Sequence, residues 1–186
     1  MRLFWAIEIP EDIKLKLTSV QDELKELNLH AKWVEKQNMH LTIKFLGETD
    51  ASMVTDIKNS VLSALEGTSP FRISVSGFGT FGNPARVIWS GIRDDDKKLF
   101  ELHSKVDKAL LSLGFEAEKR AFCPHLTLAR LKSQRNVKLL RDKLANKMTD
   151  SILGSFTVKD IKLFKSTLTP KGAIYELVDL IEIKSS

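Results

Sequence analysis

The sequence contains little cysteine and no long apolar segment. Cys123 is the single cysteine among 186 residues, so an internal disulfide cannot form and a reducing cytoplasm is the compartment that fits. No stretch approaches the roughly 20 apolar residues that span a bilayer. The N-terminal segment is apolar only briefly before Glu8, which does not suit a secretory signal. We therefore expect a cytoplasmic protein with no membrane partner.

The sequence also lacks the common metal and nucleotide motifs. A zinc site usually takes three or four ligands at recognisable spacings, and no Cys-x-x-Cys or His-Glu-x-x-His pattern occurs. No Gly-x-x-x-x-Gly-Lys-Ser/Thr loop is present to bind ATP phosphates. We expect no metal ion and no cofactor; a metal site built on a histidine pair is the alternative chemistry.

Positive charge is concentrated in one part of the chain. The net charge is +5, from 29 basic and 24 acidic residues. Nine basic residues and one acidic residue lie between Lys119 and Lys147, so this basic window alone carries +8. A concentrated positive region attracts polyanions such as RNA, although a solvated basic helix would give the same pattern.

The apolar pattern predicts an α+β fold. Apolar residues in alternation predict strands, and apolar residues three and four apart predict amphipathic helices. The predicted strands are residues 2–9, 31–34, 39–46, 71–79, 86–92, 125–131, 156–168 and 173–183. The predicted helices are about 10–27, 51–65, 99–113 and 137–148. Several strands follow one another directly, which favours mainly antiparallel sheets over strict alternation of strand and helix.

A short polar and apolar pattern occurs twice along the chain. The segments His40-Leu41-Thr42-Ile43 and His125-Leu126-Thr127-Leu128 each open a predicted strand in their half of the sequence. This repeat predicts two lobes related by a rough twofold axis, with helices packed outside and a cleft between the lobes. No Gly/Ser-rich linker interrupts the chain, so we expect residues 1–186 to form one bilobal domain.

The repeat brings together residues that suit acid–base chemistry. Side chains alternate along a strand, so His40 shares a face with Thr42 and His125 shares a face with Thr127. Two imidazoles on opposite sides of a phosphorus atom provide an acid and a base, because the reference pKa of histidine is about 6.5. Threonine hydroxyls can donate hydrogen bonds to the non-bridging oxygens. The pattern favours a phosphodiesterase that needs no metal.

Both repeats resemble the paired signatures of the two-histidine phosphoesterase superfamily. The segments that carry the resemblance run from Met39 to Gly47 and from Pro124 to Arg130. They are similar to the RNA 2′,3′-cyclic phosphodiesterase branch, historically called 2′-5′ RNA ligase. Residues 2–7, 86–89 and 165–176 also resemble that branch, so the similarity covers nearly the whole chain.

This resemblance implies a fold, a reaction and a partner. It implies a bilobal α+β fold and hydrolysis of a 2′,3′-cyclic phosphate to a 2′-phosphomonoester, with ATP-independent 2′-5′ ligation as an accompanying reaction. It implies that His40 donates a proton to the leaving 3′ oxygen and that His125 activates water. The residues themselves leave these roles interchangeable, because the repeats are nearly symmetric. The expected partner is RNA with a cyclic phosphate end, such as tRNA fragments, and the expected state is a monomer.

Two cations near the repeats are candidates for binding the substrate. Lys44 has the same parity as His40 and Thr42, so we expect it to reach a phosphate of bound RNA. Arg130 fits the end of the second signature, but parity puts it opposite His125 unless the strand bends.

Several other residues with reactive or aromatic side chains are expected to be structural. Trp33 and Tyr175 are interpreted as packing residues, with stacking on a base as the alternative. Cys123 is expected to be a buried, inert thiol. His30 and His103 lack a matching partner motif, so they are expected to be structural or exposed.

Two further functions remain open on the sequence alone. One is a non-catalytic module that binds RNA ends through the cleft and the basic window. The other keeps the mechanism but acts on a small nucleotide, such as a cyclic phosphate derived from ADP-ribose.

Overall fold

A computed structural model describes residues 1–147 and 152–184 of the chain. The strands are β1 (Arg2–Glu8), β2 (Ala31–Trp33), β3 (His40–Glu48), β4 (Phe71–Phe81), β5 (Val87–Arg93), β6 (His125–Leu131), β7 (Ile152–Val158), β8 (Asp160–Thr169) and β9 (Gly172–Glu182). The helices are α1 (Glu11–Lys25), α2 (Val54–Ala64), α3 (Lys98–Leu111) and α4 (Val137–Lys147). Short 3₁₀ turns occur at Lys36–Asn38 and Ala51–Met53.

The strands form two antiparallel sheets. The first sheet has the order β3-β1-β8-β9, and the second has the order β2-β6-β5-β4-β7. Helices α2 and α3 pack against the first sheet, whereas α1 and α4 pack against the second. Among the described residues, no helix has both the length and the apolar character needed to cross a membrane. The predicted α+β architecture of antiparallel sheets with helices outside is confirmed.

Neither sheet is built from a continuous half of the chain. The first sheet combines β1 and β3 with the late strands β8 and β9, whereas the second combines the early strand β2 with β4 to β7. Residues 156–168, predicted as one strand, in fact belong to both sheets. The chain leaves the second sheet after Val158 and enters the first at Asp160. Val158 and Ile161 are both buried although they are three residues apart, so the alternation shifts by one position at the crossing; no glycine or proline marks it.

The apolar stripes of the helices lie where the sequence predicts. In α1, Ile13, Leu17 and Leu24 are at most 1% exposed. In α4, Leu140 and Leu144 are buried as predicted; Met148, predicted to face inward, lies outside the described residues. Burying such a stripe against a sheet is the main source of helix stability in a fold of this size.

Strand β1 departs from simple alternation. The predicted inward residues Leu3, Trp5 and Ile7 are buried, but Phe4 and Ala6 on the opposite face are also buried, at 2% and 0% exposure. The rings of His40, Phe164 and Tyr175 pack against the Phe4 ring, so this face of β1 is covered as well. The face that carries Phe4 and Ala6 is the one on which the candidate site is built.

Candidate active site

Each histidine-bearing strand contains a β-bulge at the same place. In β3, Thr42 pairs with Ala6 and Lys44 pairs with Trp5, so Ile43 is the extra residue. In β6, Thr127 pairs with Trp89 and Ala129 pairs with Ile88, so Leu128 is the extra residue. Ile43 and Leu128 are each the third residue after the histidine of their strand. A bulge shifts the alternation of side chains by one position. Residues beyond it therefore face the opposite way from the predicted parity.

The bulge in β6 places Arg130 on the same face as His125 and Thr127. Arg130 pairs with Val87, two positions along β5 from the Trp89 that pairs with Thr127. The bend that the sequence required for Arg130 is therefore present. In β3 the bulge places Phe45 on the face of His40, and Phe45 remains 66% exposed there.

The same bulge removes Lys44 from the cleft. Lys44 is 5% exposed, and its Nζ lies 2.5 Å from Asp107 Oδ1 and 2.7 Å from the Glu116 carbonyl oxygen. The prediction that Lys44 reaches a substrate phosphate is wrong, because the side chain lies on the back of β3 against α3. Its positive charge is neutralised by Asp107. Burial alone would raise the pKa of Asp107, but its hydrogen bond and ion pair with Lys44 hold that pKa below its usual value.

His40 is oriented through both ring nitrogens. Its Nδ1 lies 2.7 Å from the Asn38 carbonyl oxygen and its Nε2 lies 3.0 Å from Thr42 Oγ1. A backbone carbonyl only accepts, so Nδ1 carries the proton and Nε2 accepts from the threonine hydroxyl in the neutral ring. The ring packs edge-on against Tyr175, with centroids 5.1 Å apart, and lies 4.8 Å from the Phe4 ring.

The surroundings of His40 favour its neutral form. The pKa of His40 is lowered to about 4: burial is the main cause, the hydrogen bond to the Asn38 carbonyl opposes it, and the nearby Lys14 ammonium adds to it. Burial disfavours any charged imidazole unless an anion is close by. His40 is therefore neutral at neutral pH in the unliganded protein.

His125 is held by the same device. Its Nδ1 lies 2.7 Å from the Cys123 carbonyl oxygen, also two residues before the histidine. Phe81 packs edge-on against the His125 ring, with centroids 4.8 Å apart. Cys123 thus contributes its backbone, whereas its side chain is exposed, so the expectation of a buried thiol is wrong.

The floor beside His125 is aromatic. Trp89 contacts Phe81, with ring centroids 5.1 Å apart, and lies flat over Gly79 of the neighbouring strand. A Cβ atom at Gly79 would fall 2.3 Å from the Trp89 ring, so only glycine leaves room for the indole. Trp89 therefore lies beside Thr127, with which it pairs in the strand register of β5 and β6.

The two histidine strands approach each other between the sheets. Cα atoms of β3 and β6 lie within 8 Å of one another. Tyr175, which touches His40, also feels the positive charge of Arg130 from the second sheet; burial raises the pKa of Tyr175 and this charge opposes the rise. Tyr175 thus links the His40 side of the cleft to the face that carries His125.

Sequence patterns do not single out several of these cleft residues. Alternation assigns Phe45 to the buried face, because the bulge has no sequence signal. Tyr175, interpreted as packing, lies against a reactive histidine. Trp33 does pack against the core, as predicted. His30 is exposed, and His103 stacks on Phe122 with ring centroids 4.0 Å apart, so neither enters the cleft.

The donor groups of the described part of the chain do not form a metal cluster. Across residues 1–147 and 152–184, no group of three or more His, Cys, Asp or Glu side chains is arranged to hold a metal ion. The residues that the cleft offers a ligand are imidazoles, hydroxyls, aromatic rings and the Arg130 guanidinium. This combination suits proton transfer beside an anionic group.

The fold and the paired histidines define a phosphoesterase, and sequence comparison gives its family. The family model described as LigT like Phosphoesterase matches residues 7–89 and again residues 92–175. The chain belongs to the LigT-like phosphoesterase family. The predicted membership of the two-histidine superfamily is confirmed, and the double match agrees with the internal repeat.

Similar proteins of known name cover the chain from end to end. An RNA 2′,3′-cyclic phosphodiesterase of Methanocaldococcus jannaschii is 43% identical over 96% of this chain and 98% of its own length. A second protein of that name, from Methanothermobacter thermautotrophicus, is 35% identical over 98% of this chain and 99% of its own length. These similarities confirm the prediction of an enzyme in the phosphodiesterase class.

Solved structures show the same fold. A Thermus thermophilus protein, TT0787, superimposes with a TM-score of 0.82 at 25% identity and covers 100% of this chain and 99% of its own. LigT of E. coli, in complex with 3′-AMP, gives a TM-score of 0.79 at 22% identity over 98% and 97% of the two chains. The arrangement of two sheets around a cleft is therefore the family fold.

Replacement of Lys44 tests its structural role. Lys44→Met should lower the free energy of unfolding by about 3 kcal/mol, because Asp107 would keep a largely buried carboxylate without its partner. Urea denaturation measures the change. Lys58→Met is the matched control: its pair with Asp179 is more exposed, and its loss should cost below about 1 kcal/mol. Wild-type stability of Lys44→Met would contradict the role assigned to the buried pair.

The low pKa of His40 predicts how stability depends on pH. Between about pH 6.5 and pH 4 the unfolded chain binds a proton at His40 that the folded protein does not. The free energy of unfolding should therefore fall on acidification, by up to about 1.4 kcal/mol per pH unit from this group. His40→Gln should show a shallower loss in denaturant titrations from pH 7 to pH 5, whereas Phe164→Leu should keep the wild-type slope. Identical curves for wild type and His40→Gln would contradict the burial of a neutral His40.

Proposed function

We propose that this protein hydrolyses the 2′,3′-cyclic phosphate ends of RNA to 2′-phosphomonoesters by histidine acid–base catalysis without a metal. One observation carries the proposal: two His-x-Thr pairs each have Nδ1 fixed by a backbone carbonyl, which leaves Nε2 to act on a ligand. The names of the relatives supply the substrate, because proteins 43% and 35% identical to this chain are named RNA 2′,3′-cyclic phosphodiesterase.

In the proposed reaction, water displaces the 3′ oxygen from phosphorus. His125 Nε2 accepts a proton from the attacking water as the new P–O bond forms. His40 Nε2 donates a proton to the 3′ oxygen as the P–O3′ bond breaks. The products are a 2′-phosphomonoester and a free 3′-hydroxyl. One histidine gains the proton that the other loses in each turnover, so the pair must exchange protons with solvent before the next cycle.

The neutral state of His40 in the free protein has a consequence for this assignment. Burial holds the pKa of His40 near 4, so the ring needs a neighbouring negative charge to take up a proton. The cyclic phosphate supplies that charge, because an anion within a few ångströms favours imidazolium. We therefore assign His40 as the acid that becomes protonated when the substrate binds, and His125 as the base.

Hydroxyl and guanidinium groups complete the phosphate site of the proposal. Thr42 already contacts His40 Nε2, so its hydroxyl is close enough to donate a hydrogen bond to a non-bridging oxygen of a phosphate held at that nitrogen. Thr127 occupies the equivalent place on β6, and Arg130 lies on the same face beyond the bulge. Charge that builds on the non-bridging oxygens in the transition state strengthens these hydrogen bonds. Neither proton transfer requires a metal.

The ribose and base are proposed to lie against the exposed ring of Phe45. Phe45 projects into the cleft at 66% exposure, and its ring contacts Phe4, which contacts His40 in turn. An aromatic ring stacks on any nucleobase, which gives affinity with little base preference.

The same geometry accepts a nucleophile other than water. A 5′-hydroxyl in place of water would give a 2′-5′ linkage with the same 3′ leaving group, and no ATP is consumed because the cyclic phosphate provides the free energy. RNA ends such as those of tRNA fragments fit both reactions. The cleft lies within one chain, so we propose a monomer as the active unit, and the single cysteine suits a reducing cytoplasm.

The two histidines should be required unequally, depending on the leaving group. With an oligoribonucleotide that ends in 2′,3′-cyclic phosphate, His40→Ala and His125→Ala should each lower kcat by about 100-fold or more, because each removes one general acid or base. A 3′-thio cyclic substrate has a leaving sulfur that needs no proton. It should restore much of the rate of His40→Ala and little of that of His125→Ala in a product assay by chromatography.

Each control in this assay corresponds to an alternative. Loss of wild-type turnover with a chelator would overturn the metal-free mechanism. Binding of the RNA without turnover would make the protein a non-catalytic end-binding module. Reaction of small cyclic nucleotides alone would move the substrate away from RNA. Equal rescue of both variants by the thio substrate would contradict the assigned roles of His40 and His125.

Phe45 should affect binding more than chemistry. Phe45→Ala should raise KM for the cyclic-phosphate substrate by about tenfold with little change in kcat, because one base–aromatic stack contributes about 1–3 kcal/mol. Phe45→Trp should preserve KM, and Leu139→Ala should serve as a control at an apolar position on α4 with 52% exposure. A fall in kcat at constant KM for Phe45→Ala would contradict the stacking role.

A further inference from the structure

Exposed basic side chains line the edge of the second sheet beside the catalytic face. Lys32 of β2 pairs with Arg130 of β6. The next pair along the ladder is formed by the Lys132 backbone N–H, which donates to the His30 carbonyl oxygen over 2.7 Å. We call Lys32, Arg130 and Lys132 the edge cations.

Burial shows which way the edge cations face. Lys32, Arg130 and Lys132 are exposed, whereas Ala129 and Leu131 between them are buried or half-buried. The exposed face is opposite α1, whose Gln21 side chain hydrogen-bonds the backbone on the covered side. Because Arg130 shares its face with His125, the edge cations continue the catalytic face toward the sheet edge.

The edge cations meet the first sheet at the end of the cleft. The Nζ atom of Lys32 lies 3.9 Å from the position that a Cβ atom would take at Gly172, the first residue of β9 after the turn from β8. The same turn carries the exposed Lys171. Tyr175, three residues after Gly172, contacts His40. Lysines from both sheets therefore lie close together at the end of the cleft, next to the residues that contact the histidines.

The edge cations are not neutralised by acidic side chains of the residues that the structure describes. Within residues 1–147 and 152–184, Lys32, Arg130 and Lys132 form no ion pair with a carboxylate. The surroundings at the Glu8 end of β1 are different. Glu8, which pairs with His40 in the strand register, lines a cavity together with Glu11, Asp160 and three lysines, so the charges there balance. An anionic strand in the cleft is therefore attracted toward the edge cations and not toward the Glu8 end.

We propose that Lys32 and Lys132, the two edge cations other than Arg130, bind the internucleotide phosphates immediately 5′ of the terminal cyclic nucleotide. The inference rests on the proposed function: when the cyclic phosphate lies between His40 and His125, the RNA can continue only from the 5′ side of that nucleotide. The strand leaves along the face of Arg130, and Lys32 and Lys132 contact its backbone. Such contacts depend on charge and not on base sequence.

The structure also divides the basic window in two. Arg130 and Lys132 belong to the cleft side of the second sheet, whereas Lys138 is exposed on α4, which packs on the opposite side. Charge alone does not distinguish these positions. The window therefore supplies a matched control, because Lys138 has the same charge and lies only six residues beyond Lys132.

The proposal is tested by comparing two substrates of different length. The assay measures kcat/KM for adenosine 2′,3′-cyclic phosphate and for a five-nucleotide RNA with the same end, in wild type, Lys32→Glu/Lys132→Glu and Lys138→Glu. The double variant should lose about tenfold more activity on the RNA than on the mononucleotide, and the slope of log(kcat/KM) against log[salt] for the RNA should become shallower by about one unit. Lys138→Glu should retain the wild-type ratio.

The outcomes separate this inference from the proposed function. Equal losses on both substrates, or no loss on either, would overturn the edge-cation site while cyclic phosphodiesterase activity stands. A wild type without turnover would overturn the proposed function. Fluorescence anisotropy with a labelled RNA bearing a 2′-phosphate would then still decide the site, because the double variant should bind about tenfold more weakly than Lys138→Glu.

Discussion

The candidate site depends on one extra residue in each of two strands. Without the bulges at Ile43 and Leu128, strict alternation would direct Lys44 into the cleft and turn Phe45 and Arg130 toward the helices. The bulges instead bury the apolar residues of each strand and deliver one further side chain to the reactive face. β-Bulges near reactive sites commonly re-aim a side chain in this way.

The two halves of the cleft hold their histidines by the same contacts but offer different side chains to a ligand. Each histidine has a carbonyl at Nδ1 and an aromatic ring packed against it, Tyr175 in one half and Phe81 in the other. Five residues beyond each histidine, however, stand a phenylalanine in the first sheet and an arginine in the second. The carbonyl oxygen at each Nδ1 fixes both imidazoles in the same tautomer. Phe45 and Arg130 give the nearly symmetric cleft one apolar side and one cationic side.

Sequence patterns are sufficient for the features that depend on periodicity. The elements, the antiparallel sheets and the two His-x-Thr faces follow from alternation and helical spacing. The errors have a common cause, since a bulge or a crossing between sheets leaves no mark in the residue types. The bulge misplaces Lys44, and residues 156–168 resemble one strand because apolar residues continue on both sides of the crossing with no glycine or proline between them. The exposure of Cys123 depends on a loop path that no periodicity describes.

Because β1 pairs with β8, the cleft depends on contacts between residues that are far apart in the sequence. Strand β1 lies between β3 and β8, and its Glu8 bonds to Lys162, which is 154 residues away. Pairings over such separations make folding slow, because the loop must close before the contact stabilises anything. A nascent chain that stops short of β8 therefore leaves one side of β1 open, and the reactive cleft is assembled only after β8 has been synthesised.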